Sequence, residues 1–388
     1  MRKLLLLVGA FVFVDSLFFA ALTPLLPEYA ERLDLSKAEA GVLAGAYATG
    51  AFVGALPGGL SAARLGVRPT VLLGLAGMTV TTLAFGLLDD YALLLTARFL
   101  QGVASSFTWT AGLAWLVAAA PAGRRGELIG SAMAAAIGGA LLGPVLGGIA
   151  SIVGTGWAFG SVAVLGAVLA VWTWMTPAVP PAPPQPLSAL WRAAGSRRVL
   201  AASWFVLLPA LLFGVLGVLA PLRLDELGLG AVAIGATWLV AASFEAALSP
   251  LLGRLSDRRG RLLPLRIGLV ASAAVAVTIP WLASAWLLVP AVVLAAMAFG
   301  SFWAPGMSLL ADEAERAGLE HAFAFALVSM AWAPGAAGGA AFGGALADAT
   351  ADWVPYLLLA AACVASLAAL AGRGQRRTTN SLEPSSLP

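Results

Sequence analysis

The chain has 388 residues, of which 61% are hydrophobic and 11% are charged, and its formal net charge at pH 7 is +3. Soluble domains carry about a quarter charged residues, so this composition excludes a soluble globular protein and indicates a membrane protein. The single cysteine, Cys363, and the single histidine, His321, exclude an internal disulfide and a histidine metal cluster; we expect no metal and no cofactor.

The first apolar run begins like a signal peptide but is predicted to be a membrane helix. Residues 1–14 have a basic start and an apolar core, yet Asp15 follows that core and the apolar sequence continues to Leu26. Later runs also have about the 20 residues that cross a bilayer. The twelve predicted spans are residues 4–26, 38–60, 69–88, 91–119, 127–150, 155–176, 199–221, 230–252, 262–283, 286–310, 321–346 and 353–372.

These spans divide the chain into two halves. Residues 177–198 are Pro-rich and then basic, which is typical of a linker, here with a short interfacial helix. We therefore predict an all-α membrane protein of twelve transmembrane helices in two six-helix pseudo-symmetric halves. The predicted domains are an N-terminal bundle (1–176), a cytoplasmic linker (177–198), a C-terminal bundle (199–372) and a disordered cytoplasmic tail (373–388).

The basic residues predict the orientation of the spans. With the N-terminus placed inside, eighteen of the 22 lysines and arginines fall in inner segments or near the inner end of a span, three in outer loops, and Arg98 deep within a span. The positive-inside rule then places both termini in the cytoplasm. Since these residues lie in short loops, the pI near 9.4 does not indicate nucleic-acid binding. Few lysines and many alanines and arginines favour the inner membrane of a GC-rich bacterium.

An internal repeat follows the second span of each half. The segment from Pro57 to Gly66 matches the segment from Pro250 to Gly260, with an offset of 193 or 194 residues. The two six-helix halves are therefore expected to be structural repeats.

The fourth span carries a polar stripe that starts at a buried arginine. An arginine inside a membrane costs from about 3 to about 17 kcal/mol on different scales and normally faces protein or water. Steps of three and four residues place its polar companions on one helical face. The stripe consists of Arg98, Gln101, Ser105, Thr108, Gly112 and Trp115. A structural arginine that only holds helices together is the alternative to a functional one.

Two acids lie within predicted spans, and both are candidate proton-coupling residues together with Arg98. Asp15 and Arg98 differ in depth by roughly 6 Å at 1.5 Å per residue, so we predict that they form an ion pair, which lessens the burial cost of both. Breaking that pair would let the carboxylate take up a proton. Glu245 is interpreted as a second proton site or a cation-binding acid, or else as an acid that faces cytoplasmic water.

The predicted substrate surface is polar in the first half and apolar in the second. Walls of aromatic residues and methionine suit lipophilic molecules and permit loose selectivity. A single tryptophan is, however, more often a packing or interfacial residue. The candidate substrate-binding residues are Tyr47, Gln101, Thr108, Trp109, Phe244, Met297, Trp303 and Trp332.

Two further segments are predicted to act in a conformational switch. In the fifth-span segment GALLGPVLGG, the glycines leave one helical face without side chains, and Pro144 allows the helix to bend. The eleventh span is the predicted packing partner of the fifth. The alternative to a switch is that the glycines serve close helix packing alone. Asp257 lies among arginines in an inner loop, where it could cap a helix across the two halves and act as a latch. The switch residues are Gly139, Gly143, Pro144, Gly147, Gly148, Asp257, Arg258, Gly260 and Arg261.

Three of these motifs resemble the major facilitator superfamily. The loop signature G-x-x-x-D-R-x-G-R stands intact at 253–261, whereas the first copy has Ala63 in place of the acid. The fourth span resembles R-x-x-Q-G (98–102), and the fifth resembles G-x-x-x-G-P-x-x-G-G (139–148). The fifth-span pattern is similar to that of the exporter branch, especially the drug:proton antiporters. Six-helix halves related by a parallel repeat are also a property of this superfamily.

The resemblance implies a secondary transporter that exports lipophilic or cationic small molecules by alternating access, in exchange for protons, and we expect it to be monomeric. The alternative transporter is a flippase or exporter of a lipid or lipophilic metabolite. An enzyme is not expected, because the sequence contains no H-E-x-x-H, G-x-S-x-G or Walker motif. A sensor would need an extra soluble domain.

Overall fold

The computed structural model describes residues 2–120, 125–177, 187–260, 262–319 and 321–380, except for some side chains within the helices. The described residues form helices joined by short turns. These are α1 (Arg2–Arg32), α2 (Lys37–Leu65), α3 (Val67–Leu87), α4 (Tyr91–Ala119), α5 (Arg125–Val153), α6 (Thr155–Met175), α7 (Leu187–Ala194), α8 (Arg197–Glu226), α9 (Ala231–Arg259), α10 (Leu262–Thr278), α11 (Ala285–Gly300), α12 (Trp303–Arg316), α13 (His321–Ala349) and α14 (Trp353–Asn380).

In the described part of the chain, eleven helical segments are long and apolar enough to cross a membrane. The predicted eleventh span forms α13, whose 29 residues extend roughly 43 Å at 1.5 Å per residue. This helix, which is rich in glycine and alanine, is not one of the eleven segments. The count of twelve spans and the cytoplasmic location of the termini therefore stay predictions.

Two predicted boundaries differ in the structure. The predicted tenth span divides into α11 and α12 at Ser301 and Phe302, because Pro305 lacks the amide that would bond to the carbonyl of Ser301. At the C-terminus, α14 continues to Asn380, so the residues just after 372 are helical rather than disordered, and residues 381–388 lie outside the described part. The short helix expected in the linker forms as α7.

The internal repeat extends over the first four spans of each half. Lys37 and Ala231, which begin α2 and α9, are 194 residues apart, and so are the helix ends Leu65 and Arg259. The glycines that follow these ends, Gly66 and Gly260, share a left-handed backbone with φ of 92° and 81°, a conformation that glycine adopts without strain. The loops matched by sequence are therefore also matched in backbone conformation.

Helix packing follows the same repeat. The pairs α1–α5, α2–α4 and α3–α6 of the first half correspond to α8–α13, α9–α11 and α10–α14 of the second. The two halves meet along two seams, α2 against α13 and α5 against α9. Each seam contains a glycine at an equivalent position: a methyl group at Gly41 would overlap the backbone of Ala340, and one at Gly235 would overlap that of Pro144.

The glycine face of α5 packs against α1 within the same half. Side chains at Gly139, Gly143 and Gly147 would overlap the α1 backbone at Phe13, Leu17 and Ala21, respectively. The sequence-based assignment of the eleventh span as the partner of α5 is therefore wrong. The equivalent glycines of α13 pack instead against α8, the partner that corresponds to α1.

The two halves are joined by an ion pair at the predicted outer end of the bundle. The Lys37 ammonium lies 2.6 Å from Oδ1 of Asp352 and 3.9 Å from Oε1 of Glu226. Lys37 begins α2, whereas both acids belong to the second half. Together with the two glycine seams, this contact holds the two halves against each other.

Candidate functional site

Asp15 lies in the middle of α1, where three side chains donate hydrogen bonds to its carboxylate. The hydroxyl of Tyr47 lies 2.8 Å from each carboxylate oxygen, and Oδ2 also accepts from Ser105 Oγ at 2.9 Å and Trp109 Nε1 at 2.5 Å. Asp15 is 2% exposed. Hydrogen bonds from several donors stabilise an ionised carboxylate that is removed from water.

Two of these donors can also accept a hydrogen bond, which matters for a carboxyl group that gains a proton. Hydroxyl groups donate and accept, whereas an indole N–H only donates. Tyr47 and Ser105 also lie 2.7 Å apart, so their hydroxyl hydrogens can reorient together. The cluster can therefore satisfy both the ionised and the protonated form of Asp15.

Arg98 does not form the predicted ion pair with Asp15. Its guanidinium donates to Gln101 Oε1 at 2.8 Å and to the α1 carbonyl of Phe19 at 2.7 Å, with a longer bond of 3.5 Å to the carbonyl of Phe18. No carboxylate within the described residues lies within 4.0 Å of it. The prediction relied on depth along the helix axis, and Arg98 meets α1 one turn beyond Asp15.

Aromatic rings surround this buried charge, which is 1% exposed. The guanidinium carbon lies 5.0 Å from the ring centre of Tyr47 and 5.5 Å from that of Phe18. The rings of Phe19 and Phe85 each lie at 5.8 Å. A cation over a ring face is attracted to it, so Tyr47 connects the two charges: its ring faces Arg98 and its hydroxyl bonds to Asp15.

Two predicted substrate residues lie inside the first half. Gln101 accepts from Arg98 and donates to Thr82 of α3 at 3.0 Å, while Thr108 is fully buried beside Met78 of α3. Both side chains therefore tie α4 to its neighbours. Every member of the α4 stripe is buried, so the stripe forms one face as predicted, but that face packs against protein.

Sequence reasoning missed two contributors to the site. Ser105 belonged to the polar stripe but was not assigned a role in binding or proton coupling. Phe19 had no polar signal at all, yet its ring lies 4.8 Å from Tyr47 and 5.7 Å from Trp332. Since Trp332 is on α13, this contact continues the Asp15 cluster into the second half.

The second half contributes an aromatic wall around the break between α11 and α12. The rings of Trp303 and Phe213 stack at 6.1 Å, and Phe213 meets Phe299 edge to face at 5.7 Å. Met297 is half-buried, while Phe244 is 53% exposed. These second-half contacts are between aromatic rings, and the role of the residues in a substrate surface stays a prediction.

Glu245 lies on α9 beside this aromatic wall and is half-buried. A methyl group at Gly300 would overlap the carboxyl group, so the missing side chain there makes room for it. Among the described residues, no basic side chain pairs with Glu245.

The inner-loop part of the predicted switch is only partly described. The side chain of Asp257 and all of Arg261 lie outside the described residues, whereas Arg258 is exposed and Gly260 follows the end of α9. The latch is therefore still a prediction. The remaining switch residue, Gly148, faces Val232 of α9. In the described part of the chain, no group of His, Cys, Asp or Glu is arranged to hold a metal ion.

Two curated relatives match part of the chain. An MFS-type transporter, ppzB, of Metarhizium rileyi is 33% identical over 143 residues, which are 36% of this chain and 30% of that protein. A probable vesicular acetylcholine transporter-B of Danio rerio is 30% identical over 157 residues, 38% of this chain and 32% of the relative. The matched segments thus span about a third of these relatives.

Solved structures share the fold over nearly the whole chain. A bacterial homolog of the human lysosomal transporter Spinster, in an inward-facing and unoccupied conformation, has a TM-score of 0.74 at 17% identity, covering 95% of this chain and 94% of the other. A D-xylose–proton symporter has a TM-score of 0.71 at 15% identity, covering 94% and 96%.

The family is established by a sequence profile described as Major Facilitator Superfamily, which matches residues 8–319 and 244–386. Members of this family are multi-pass membrane transporters rather than enzymes. The chain therefore belongs to the Major Facilitator Superfamily.

Proposed function

We propose that this chain exports lipophilic or cationic small molecules in exchange for protons, by alternating access of a cavity between its two halves. The observation that supports this most strongly is the Asp15 cluster. A buried acid inside a membrane bundle indicates a functional site, and this one has partners for both of its protonation states. We further propose a monomer in the inner membrane of a bacterium, with both termini in the cytoplasm.

Proton binding at Asp15 can act on the contact between the halves. When Asp15 is ionised, Tyr47 donates to it and holds its ring between Arg98 and Phe19. When Asp15 is protonated, that hydroxyl is free to turn towards Ser105, and the ring is held less firmly. Because Phe19 meets Trp332 of the other half, a change at Tyr47 reaches the interface that must move during transport.

The cargo class rests on the apolar wall and on the similarity to known transporters. Phe213, Phe299 and Trp303 form an aromatic surface suited to lipophilic molecules. Part of the chain is similar to vesicular acetylcholine transporters, which are named for a cationic cargo. A flippase of a lipid or lipophilic metabolite is the second candidate, because the same contrast between a polar and an apolar half suits an amphipathic lipid.

Proteoliposomes test both candidates. An imposed pH gradient, with the membrane potential clamped, should drive transport of tetraphenylphosphonium or the neutral dye N-phenyl-1-naphthylamine, and Asp15→Asn should abolish this. Headgroup-dependent movement of a fluorescent phospholipid, with neither probe transported, would instead establish the flippase. Equal transport by wild type and Asp15→Asn would refute the proton-coupling role of Asp15.

A further inference from the structure

Arg266 is an arginine near the predicted inner end of the second half that takes no part in the proposed transport mechanism. It lies four residues after Leu262, the first residue of α10, which is about 6 Å along the helix at 1.5 Å per residue. Leu262 and Val270, one turn before and one turn after Arg266 on the same helical face, are both exposed. Since the exposed face of a membrane-spanning helix meets lipid, Arg266 lies where the lipid-facing surface of α10 approaches the headgroups.

The guanidinium group of Arg266 has a single hydrogen-bond acceptor among the described residues. Its Nη2 donates to the carbonyl of Leu370 on α14 at 3.3 Å, which is a long bond, and its Nε is buried without a partner. A guanidinium group has five N–H donors, and a buried donor that lacks an acceptor is unfavourable. Arg98, by contrast, has three acceptors and four aromatic rings around it. Arg266 therefore has donors left for a ligand.

No acid of the described residues compensates the charge of Arg266. Neither α10 nor α14 contains an aspartate or a glutamate, and no described carboxylate forms an ion pair with Arg266. Between residues 246 and 311 the sequence has five arginines and one acid, Asp257. Residues 371–380, which follow Leu370, contain three arginines and no acid. The predicted inner end of the α10–α14 pair is therefore strongly basic.

The direction of α10 carries the side chain of Arg266 towards the headgroup layer. Side chains of a helix tilt towards its N-terminus, and α10 begins at the predicted inner end. A long basic side chain near the end of a span extends in this way to place its charge at the interface. Basic groups between helices at the cytoplasmic side bind anionic lipid headgroups, and a guanidinium group matches a phosphate through two parallel hydrogen bonds.

The first half contains an arginine that serves as a matched comparison. Arg68 of α3 donates to the carbonyl of Trp174 on α6, and this pair of helices corresponds to α10 and α14. The guanidinium carbon of Arg68 lies 5.1 Å from the ring centre of Trp174, so an aromatic ring accompanies this charge. The position that corresponds to Arg266, 194 residues earlier, is Leu72. The arrangement at Arg266 is therefore particular to the second half.

We infer that Arg266 binds the phosphate of an anionic phospholipid of the inner leaflet, at a site between α10 and α14. Leu262 and Val270 flank the arginine with apolar surface for the acyl chains. A zwitterionic lipid brings a cationic group of its own, which the surrounding arginines disfavour, whereas phosphatidylglycerol brings none. The inference goes beyond the proposed transport function and does not depend on it, because it concerns a structural lipid of the second half rather than the cargo.

Native mass spectrometry of the purified full-length protein, titrated in detergent with phosphatidylglycerol or phosphatidylcholine, tests the site. Arg266→Gln should weaken binding of the first phosphatidylglycerol about fivefold or more and leave binding of phosphatidylcholine within about twofold. Arg68→Gln should stay within about twofold of wild type for both lipids. Leu262→Glu keeps Arg266 but gives it a carboxylate one turn away, so this variant should also weaken phosphatidylglycerol binding, whereas Leu262→Gln should not.

Thermal unfolding midpoints separate lipid binding from helix packing. Phosphatidylglycerol should raise the midpoint of wild type and of Arg68→Gln, and by less than about half as much that of Arg266→Gln. An equal rise in Arg266→Gln would overturn the inference, because the arginine would then only join α10 to α14. An equally large loss of phosphatidylglycerol binding in Arg68→Gln would overturn it too, and so would inorganic phosphate that stabilises wild type as well as the lipid does. Each of these outcomes leaves the proposed export function intact.

Discussion

At the scale of single residues, the site depends on Tyr47, which joins an acid and a base that do not touch. Its hydroxyl bonds to Asp15 and its ring faces Arg98. The sequence indicated that Asp15, Tyr47 and Trp109 were candidate residues, because each is a polar or amphipathic group inside an apolar run. It did not predict which of them meet, because depth along a helix does not fix the direction in which a side chain points.

Removing the hydroxyl of Tyr47 should uncouple transport from the pH gradient. Tyr47→Phe keeps the ring at Arg98 but leaves Asp15 with two donors, so we expect pH-driven transport to fall about tenfold while the thermal unfolding midpoint changes little. Tyr91→Phe is the matched control, since it removes an exposed hydroxyl that bonds to the Glu39 carbonyl. Equal transport by the two variants would contradict this role of Tyr47.

Replacing Arg98 should affect stability as well as transport. Arg98→Ala removes the bonds to Phe19 and Gln101 and leaves a cavity within four aromatic rings, so we expect a loss of about 2–4 kcal/mol in the free energy of unfolding. Denaturation in detergent measures it. Full stability together with full pH-driven transport would show that the buried charge has neither a structural nor a functional role.

At the scale of helices, small residues determine which spans can approach each other. The sequence predicted that the glycines of GALLGPVLGG pack against a partner helix, but it did not identify α1 as that partner. Glycine spacing shows that one face is bare, whereas the choice of neighbour follows from the arrangement of the whole bundle. The repeat could have indicated it, because α13 has the same glycine positions and packs on the helix that corresponds to α1.

Alanine substitutions at two adjacent glycines of α5 distinguish the effect of helix packing on stability from the effect of helix propensity. A methyl group at Gly139 would overlap the Phe13 carbonyl, whereas one at Gly138 would lie 3.6 Å from the ring of Phe13, an ordinary contact. Gly139→Ala should therefore lower the thermal unfolding midpoint by several degrees. Gly138→Ala should leave it unchanged or raise it, because alanine favours a helix by about 1 kcal/mol over glycine. The reverse order would contradict the α1–α5 packing.

Loss of the ion pair between Lys37 and Asp352 should change the ratio of conformations open and closed at the predicted outer end more than it changes the free energy of unfolding. A partly exposed pair contributes about 0.2–1 kcal/mol, which is enough to change a two-state ratio by up to about fivefold. Lys37→Ala should therefore increase the population with long distances between spin labels at Asp34 and Ala351. Arg32→Ala is the control, because Arg32 pairs with Asp89 within the first half. No difference between the variants would exclude a gating role.

At the scale of the whole molecule, two similar halves place their buried polar groups in different surroundings. The first half keeps Asp15 and Arg98 enclosed among hydroxyl groups, aromatic rings and backbone carbonyls, and the second presents Glu245 beside an aromatic wall. Composition, span lengths and the loop repeat were sufficient to predict a helical membrane protein with two related halves. They could not predict how the halves meet at the predicted outer end, because the contacts there join residues that are far apart in the sequence, such as Lys37 and Asp352.

The central claim is that proton binding at Asp15 drives net transport but is not needed for movement of the cargo itself. The most direct measurement compares, in the same proteoliposomes, pH-driven accumulation of tetraphenylphosphonium with its exchange across the membrane at equal pH, for wild type and Asp15→Asn. We predict that Asp15→Asn loses accumulation and retains exchange. Accumulation at the wild-type level in Asp15→Asn would contradict the account.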